Sequence, residues 1–318
     1  MLDIDSEKVT KDIQKYIRSL MKEKKNSHII LGLSGGIDSA VLAVLAVGAV
    51  GADMVRAYYL KDRDSEKESQ EKAQLLADWL GFKLEVQDIS HVMKEDGIYS
   101  PLIMRISTIA HFINRMIQRS YCLFFNETPH KSTLKEGCGE FEHNPFKRLV
   151  FDLSVHHLEK GFNARHIHRR KVIEQIAQEN NYLILGAANR SESMVGWFVK
   201  DGIDDMPIQP LLGLYKTQVW QLADYLNLPS KVRNQKPSPD MMKGITDEFA
   251  IGIEYRRLDE ILDYLERGLD ESEIIALGIS AKELKNVIDI HRLSAFKRES
   301  EHVKPPLEGI TGSPYRVD

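Results

Sequence analysis

Apolar and polar positions alternate with a regular rhythm over the first ninety residues. Apolar residues at helical spacing predict an amphipathic helix over 7–24. Short segments rich in apolar residues predict buried strands at 28–33, 54–60 and 83–89, and longer stretches predict helices at 37–50 and 65–81. Because strands that alternate with helices at this spacing form right-handed βαβ units, we expect an α/β fold with a doubly wound, mostly parallel sheet.

The rhythm stops between about 90 and 160, where we predict an irregular or helical insertion or lid. Apolar residues within 102–121 predict one or two helices, whereas 126–148 is polar and typical of turns. Beyond it the pattern predicts a helix over 169–181, a strand from 182, a helix over 216–227 and a helical tail over 255–318. The chain 1–318 is therefore expected to be a single domain that carries an insertion.

Composition narrows the class of protein. Hydrophobic residues make up 42% and charged residues 28%, which excludes a disordered, collagen-like or disulfide-scaffold chain. No apolar run approaches the roughly 20 residues of a membrane span, and the polar start shows no secretory signal. Two cysteines, Cys122 and Cys138, predict a cytoplasmic location. A net charge of −4 makes nucleic acid an unexpected partner.

The hexapeptide Ser-Gly-Gly-Ile-Asp-Ser, residues 34–39, separates the first strand from a buried helix. The first N–H groups of a helix have no partners within it, and two glycines let a phosphate approach the backbone. Ser34 and Ser39 add hydroxyls, and Asp38 can hold Mg²⁺ against phosphate oxygens. The alternative is an ordinary strand–helix turn with Asp38 in water. No lysine follows the glycines, so the loop is not of the Walker type.

The segment SGGIDSA resembles the pyrophosphate loop of the N-type ATP pyrophosphatases, and further segments resemble ammonia-dependent NAD synthetase. These segments occur in the family's order: LILGAANRSE at 183–192, GWFVKDG at 196–202, PIQPLLGLYKTQV at 207–219, KPSPDMMKGITDE at 236–248 and SAFKRESEHVKPP at 294–306. The resemblance covers about 28–90 and 161–306 and implies an adenine nucleotide alpha hydrolase-like fold.

The resemblance also implies site residues. The ATP-binding positions are Gly32, Leu33, Ser34, Gly35, Gly36, Ile37, Asp38, Ser39, Ala187, Lys216 and Ser238. Mg²⁺ would be held by Asp38 and Glu192. Asp38, Lys200 and Lys216 would be catalytic, and the acceptor substrate would meet Arg169, Lys200 and Lys297. Arg165 is an alternative to Arg169.

The implied reaction is ATP-dependent amide formation by a ligase. ATP adenylates the carboxylate of deamido-NAD, pyrophosphate leaves, and ammonia displaces AMP to give NAD. The family also implies a homodimer. Two alternatives remain, namely another acceptor (a small carboxylate or a tRNA base) and a nucleotide-binding regulatory protein without turnover. Departures from the family pattern keep them open, because Ala187, Arg190, Pro207 and Phe296 replace residues that the family uses. Asp204 and Asp205 could compensate at the acceptor site.

Two further groups of residues admit two interpretations each. Four histidines at 156, 157, 166 and 168 could bind zinc, but their spacing fits solvated or structural histidines better. Cys122 and Cys138 could form the reactive pair of a tRNA-thiolating relative, or be one buried and one incidental thiol.

Overall fold

The computed structural model describes residues 2–109, 111–241 and 244–307. Its strands are β1 (His28–Gly32), β2 (Val55–Lys61), β3 (Leu84–Asp88) and β4 (Tyr182–Leu185). They form one four-stranded sheet in the order β3-β2-β1-β4, and every pairing is parallel. The expectation of a parallel α/β sheet is therefore confirmed. The chain adds β2 and β3 on one side of β1 and β4 on its other side. The carboxyl end of β1 therefore lies where the strand order changes direction.

Sixteen helices of the described residues surround this sheet. They are α1 (Ser6–Lys24), α2 (Ile37–Val50), α3 (Lys67–Leu80), α4 (Ser90–Glu95), α5 (Leu102–Ile109), α6 (His111–Phe125), α7 (Pro129–Gly137), α8 (Pro145–Leu153), α9 (Val155–Asn180), α10 (Arg190–Met194), α11 (Lys216–Tyr225), α12 (Ser230–Arg233), α13 (Asp247–Ile251), α14 (Tyr255–Glu266), α15 (Glu271–Ala276) and α16 (Ala281–Leu293). No helix among them is long and apolar enough to cross a membrane.

Helices cover both faces of the sheet, as a doubly wound fold requires. On one face α1, α2, α3 and α11 pack around Leu31, Leu42 and Leu222. On the other face α9 packs through Ile173 against Ile30. α2 is apolar on all sides because it is enclosed between the sheet and its neighbouring helices.

The helices from residue 255 onward form a second core. Leu258, Leu262 and Val287 are buried in it, and Tyr215 joins them from the start of α11. The predicted tail thus begins as three helices that pack on the main domain rather than extending from it. The part of the predicted tail beyond residue 307 lies outside the described residues.

Two expectations about the middle of the chain were wrong. The polar segment 126–148 contains α7 and the first half of α8, each of which begins with a proline after a capping side chain. Thr128 accepts a hydrogen bond from the Lys131 N–H, and Asn144 accepts one from the Lys147 N–H. The helix expected over 169–181 begins at Val155 instead. Its mixed sequence hid the periodicity because it contacts the sheet, other helices and a cavity along its length.

Candidate functional site

Hydrogen bonds from its own serine side chains fix the conformation of the loop after β1. The hydroxyls of Ser34 and Ser39 lie 3.0 Å apart, and Ser39 also donates to the Gly36 carbonyl at 3.0 Å. Gly35 has φ of 81°, and a Cβ there would lie 2.2 Å from the carbonyl oxygen of Ser69. Only glycine fits this position, because both the backbone angle and the space exclude a side chain. Gly36 then caps α2, whose first N–H groups face the loop.

An ammonium group joins two carboxylates beside this loop. Lys216 Nζ lies 2.6 Å from Asp38 Oδ2 and 2.9 Å from Glu192 Oε1. Lys216 is only 2% exposed, and burial alone would lower its pKa. The charges of Asp38 and Glu192 outweigh burial and raise the pKa of Lys216 above its usual value. The lysine is therefore a fixed positive charge, placed by the N-terminus of α11.

Asn189 positions the two carboxylates. Its Nδ2 donates to Asp38 Oδ1 at 2.9 Å, and its Oδ1 accepts the Glu192 N–H at 3.0 Å, which caps α10. Burial raises the pKa of Glu192 to about 8, with Asp38 and Asp247 adding to the effect. Tyr255 OH donates toward both Glu192 and Asp247, at 3.2 and 3.3 Å. The site is thus richer in carboxylates than in cations, which favours a further positive charge.

The loop and the cluster open into a cavity of about 320 Å³. Most of the residues expected from the resemblance line it: Gly32, Leu33, Ser34, Gly36, Ile37, Asp38, Ser39, Arg169, Ala187, Glu192, Lys216, Ser238 and Lys297. Gly35 belongs to the loop but is buried and does not line the cavity. A single cavity therefore brings together residues of β1, α2, α9, α11 and the C-terminal part of the described chain.

Lys200 is the residue that the structure does not bring to this cavity. Its Nζ donates to the Phe296 carbonyl at 3.1 Å and pairs with Glu299 at 2.8 Å. Its catalytic and acceptor roles stay predictions of the family resemblance. Arg190, which replaces a lysine of the family pattern, also turns away from the cavity. It forms a buried ion pair with Glu266, whose oxygens also accept a hydrogen bond from Tyr215.

Arg169 and Lys297 both line the cavity, from opposite parts of the chain. Arg169 donates to Ser65 and pairs with Asp240 at 3.2 Å, and its buried Nε has no hydrogen-bond partner among the described residues. Lys297 Nζ donates to the carbonyls of Gly196, at 2.8 Å, and Phe198. Burial lowers the pKa of Lys297 to about 8, although nearby carboxylates act in the other direction.

Several residues that line or support the site are not among the predicted site residues. Asn189 and Glu192 form an N-cap with an acidic residue three positions later, a helix-start signal that could have singled out Asn189. Asp247 directly follows Thr246, which caps α13. Glu159 carried no signal, because its place in the cavity depends on how α9 packs.

Comparison with known proteins agrees with this geometry. The family model for NAD synthase matches residues 9–99 and 144–301, and the chain belongs to the NAD synthase family. The match is wider than the resemblance estimated from motifs, and it leaves 100–143 unmatched.

Curated relatives share most of the chain. The NH(3)-dependent NAD(+) synthetase of Coprothermobacter proteolyticus is 34% identical over 260 residues, which is 81% of this chain and 85% of that protein. The NH(3)-dependent NAD(+) synthetase of Methanosarcina mazei is 29% identical and covers 96% of this chain and 98% of its own length.

Solved structures share the fold. NMN synthetase from Francisella tularensis superposes with a TM-score of 0.67 at 22% identity, covering 96% of this chain and 100% of that one. The NH3-dependent NAD synthetase from Campylobacter jejuni gives 0.64 at 20% identity, with 95% and 99% covered.

Proposed function

We propose that the protein is a ligase that makes NAD from deamido-NAD, ATP and ammonia. The observation that carries this proposal is the Asp38–Lys216–Glu192 cluster beside the glycine loop, in a chain of the NAD synthase family. The curated relatives are named for the same reaction with ammonia as nitrogen source. The nucleotide would lie at the carboxyl end of β1, where the N-terminus of α2 meets the glycine loop and favours an anion.

The chemistry divides into two displacements. An acceptor carboxylate oxygen attacks the α-phosphorus of ATP, the bond to the β-phosphate oxygen breaks, and pyrophosphate leaves. Ammonia then attacks the acyl carbon, AMP departs with the carboxylate oxygen, and one proton is released. Neither step needs a covalent bond to the protein, so the chain acts by placement and charge stabilisation. Lys216 supplies a permanent cation for the charge that develops on phosphate oxygens.

We propose Mg²⁺ as the metal, held by Asp38 and Glu192. The described residues hold no group of three or more His, Cys, Asp or Glu side chains arranged for a metal. Two carboxylates fit Mg²⁺ all the same, because this ion commonly takes one or two protein carboxylates and completes its ligands with phosphate and water. Burial raises the pKa of Glu192, and the charge of Lys216 acts against that rise. When bound, the ion would neutralise charge on the leaving pyrophosphate.

The acceptor would occupy the part of the cavity beside Arg169 and Lys297. Arg169 is buried and Lys297 is half-buried, both line the cavity, and the Nε of Arg169 lacks a partner among the described residues. A phosphate or carboxylate of the acceptor would satisfy that nitrogen. Asp240 competes for the same guanidinium, so acceptor binding would compete with the Arg169–Asp240 pair.

A single assay tests the reaction. The protein is incubated with Mg²⁺, ATP, ammonium and deamido-NAD, and NAD, AMP and pyrophosphate are measured together. We expect all three in equal amounts, and no AMP when the acceptor is omitted. AMP and pyrophosphate formed only with another carboxylate or a tRNA would move the proposal to that acceptor. ATP binding without cleavage under all conditions would favour a regulatory protein.

We propose a homodimer assembled through the middle helices. Large apolar side chains are exposed on α5, α6 and α8: Leu102, Met116, Leu123, Phe124, Phe146, Leu149 and Leu153. Leu123 and Phe124 are 85% and 78% exposed, a degree rare for such residues on a monomer surface. Light scattering after size exclusion should give twice the chain mass. Leu123→Asp with Phe124→Asp should give the monomer, whereas Leu277→Asp, at an exposed leucine outside these helices, should not.

We further propose a cytoplasmic location. Cys122 and Cys138 are both free thiols in the structure, which fits a reducing compartment. Fractionation of the native cells, followed by detection of the chain in the soluble or membrane fraction, tests the location.

A further inference from the structure

Three helices of the middle and following segments form one side of the cavity. This side, called the helical wall, is lined by Gln118 of α6, Pro129, His130 and Thr133 of α7, and Glu159 and Asn163 of α9. It contains none of the residues of the Asp38–Lys216–Glu192 cluster. Gln118, His130 and Thr133 belong to the segment 100–143 that the family model leaves unmatched. The helical wall therefore combines residues outside the family model with Glu159 and Asn163, which lie within it.

Glu159 places a carboxylate on this wall. Burial raises its pKa, and hydrogen bonds from the side chains of Thr133 and Asn163 and the charge of Lys297 act against that rise. A carboxylate has about four positions at which it accepts hydrogen bonds. Glu159 is half-buried and lines the cavity, so its carboxylate keeps acceptor capacity toward the cavity.

A second hydrogen-bond acceptor on the wall lacks a donor. Gln118 Oε1 is buried and has no hydrogen-bond partner among the described residues. Gln118 lies one helical turn before Tyr121, whose hydroxyl donates to Ser132 at 2.8 Å. Ser132 adjoins Thr133, so this contact fixes α6 against the turn of α7 that lines the cavity. A buried acceptor without a donor costs free energy, which a ligand that donates a hydrogen bond would recover.

The chemistry of the wall selects among ligand groups. Carboxylate and amide oxygens would repel a phosphate, and the nearby ammonium of Lys297 disfavours a second cation. Neutral hydrogen-bond donors remain, and among them a ribose hydroxyl bound by a carboxylate is a recurrent mode of nucleotide recognition.

We propose that Glu159 and Gln118 accept hydrogen bonds from ribose hydroxyls of the acceptor nucleotide and thereby determine acceptor specificity. This inference rests on the proposed function and names the substrate class for that site: a carboxylate carried on a ribonucleotide. A carboxylate without ribose would lack these contacts. A site built to bind a hydroxyl discriminates strongly against the analogue that lacks it, because its own polar groups are then left unpaired.

The test compares acceptor and ATP kinetics in Glu159→Gln. The variant keeps the shape of the side chain but removes the charge. We expect the KM for deamido-NAD to rise by about tenfold or more, with the KM for ATP changed less than about twofold. The control is Glu174→Gln on the same helix, where the carboxylate pairs with Arg170 outside the cavity. It should change neither constant.

A deoxyribose analogue of the acceptor measures the preference of the protein for ribose. This preference would not change if Glu159 had a purely structural role. We expect the wild-type protein to prefer the ribose form, and Glu159→Gln to lose most of that preference. Gln118→Met, which removes the amide oxygen at similar length, should weaken the preference in the same direction. If Glu159→Gln fails to fold, the ribose preference of Gln118→Met tests the inference in its place.

Three results would overturn the inference. They are equal rises in both KM values, an unchanged KM for deamido-NAD in a folded Glu159→Gln, and an unchanged preference for ribose in both variants. These results differ from failure of the proposed function, in which the wild-type protein itself would form no NAD from deamido-NAD. That failure would overturn the inference as well.

Discussion

The phosphate loop and the helical wall face the same cavity but are built in different ways. The loop is local: one strand, two glycines and one helix start fall within residues 28–50. The helical wall brings together side chains that are far apart in sequence, from Gln118 to Glu159, and Lys297 faces it from the other end of the chain. The family model matches the first region and leaves most of the second unmatched. The loop can therefore be predicted from neighbouring residues, whereas the wall depends on how distant segments pack.

The largest expected effect is on the loop side, in Asp38→Asn. Loss of this carboxylate removes a proposed metal ligand and one of the two charges that flank Lys216. We expect turnover to fall by about 100- to 1000-fold. Thermal unfolding should stay near that of the wild type, because an asparagine oxygen still accepts the hydrogen bond from Asn189. Asp53→Asn, at an exposed aspartate, is the control. Normal rates in Asp38→Asn would contradict the metal role.

The next effect concerns the backbone of the loop, in Gly35→Ala. The added Cβ would meet the Ser69 carbonyl oxygen at 2.2 Å, at a residue with φ of 81°. We expect a loss of about 2 kcal/mol or more in stability, and weaker ATP binding. Gly81→Ala is the matched control, because φ is 78° there and the new Cβ would meet nothing within 4 Å. Equal losses in the two variants would show that the contact with Ser69 is unimportant.

A smaller effect is expected where Lys297 faces the helical wall. Burial lowers its pKa to about 8, while Glu159, Asp204 and Asp205 act in the opposite direction. The side chain is therefore charged below pH 8 and neutral above it. We expect the affinity for deamido-NAD, measured by calorimetry, to fall by about tenfold between pH 7 and pH 9. Lys297→Arg, which stays charged, should not show this fall.

The titration of Lys297 also affects the stability of the fold, which should increase with pH while the affinity for deamido-NAD falls. The folded-state pKa of Lys297 lies below the unfolded value of 10.5, so the folded protein binds this proton less tightly than the unfolded chain. The cost of burying the charged form is present below pH 8 and disappears as the pH rises toward 10.5. A loss of acceptor affinity that merely followed a loss of stability would contradict the binding role.

The smallest effect on activity is expected from Arg190→Lys. The guanidinium contacts Glu266 through two nitrogens in a buried pair, with its Nε 2.9 Å from Oε1, and it does not line the cavity. Lysine cannot reproduce this geometry, so stability should fall by about 1–3 kcal/mol in denaturant unfolding. The ratio kcat/KM should change less than about twofold. A large loss of activity in a stable variant would show that Arg190 meets substrate.

Local signals predicted the sheet and the helix after the loop correctly. The helix over 37–50 has the observed bounds, since Gly36 and Gly51 end it on both sides. The same approach failed at α7 and the start of α8, because the polar segment 126–148 predicts turns. Their starts were visible as Thr128-Pro129 and Asn144-Pro145, yet the apolar pattern of α8 was unusual because its Phe146, Leu149 and Leu153 are exposed.

The sequence alone determined the parallel sheet, the glycine loop and the opening of α2 at that loop. The loop and the helix start depend on neighbours within a few residues, through backbone freedom and the N–H groups that begin a helix. The sheet was predicted from the hydrophobic pattern of its separate strands and their alternation with helices. Only the tertiary structure decided that Lys216 stands between Asp38 and Glu192, that Lys200 lies outside the cavity, and that Glu159 lines it. These placements follow from how distant helices pack. The sequence around a carboxylate or ammonium group does not indicate which charges will lie next to it in the folded protein.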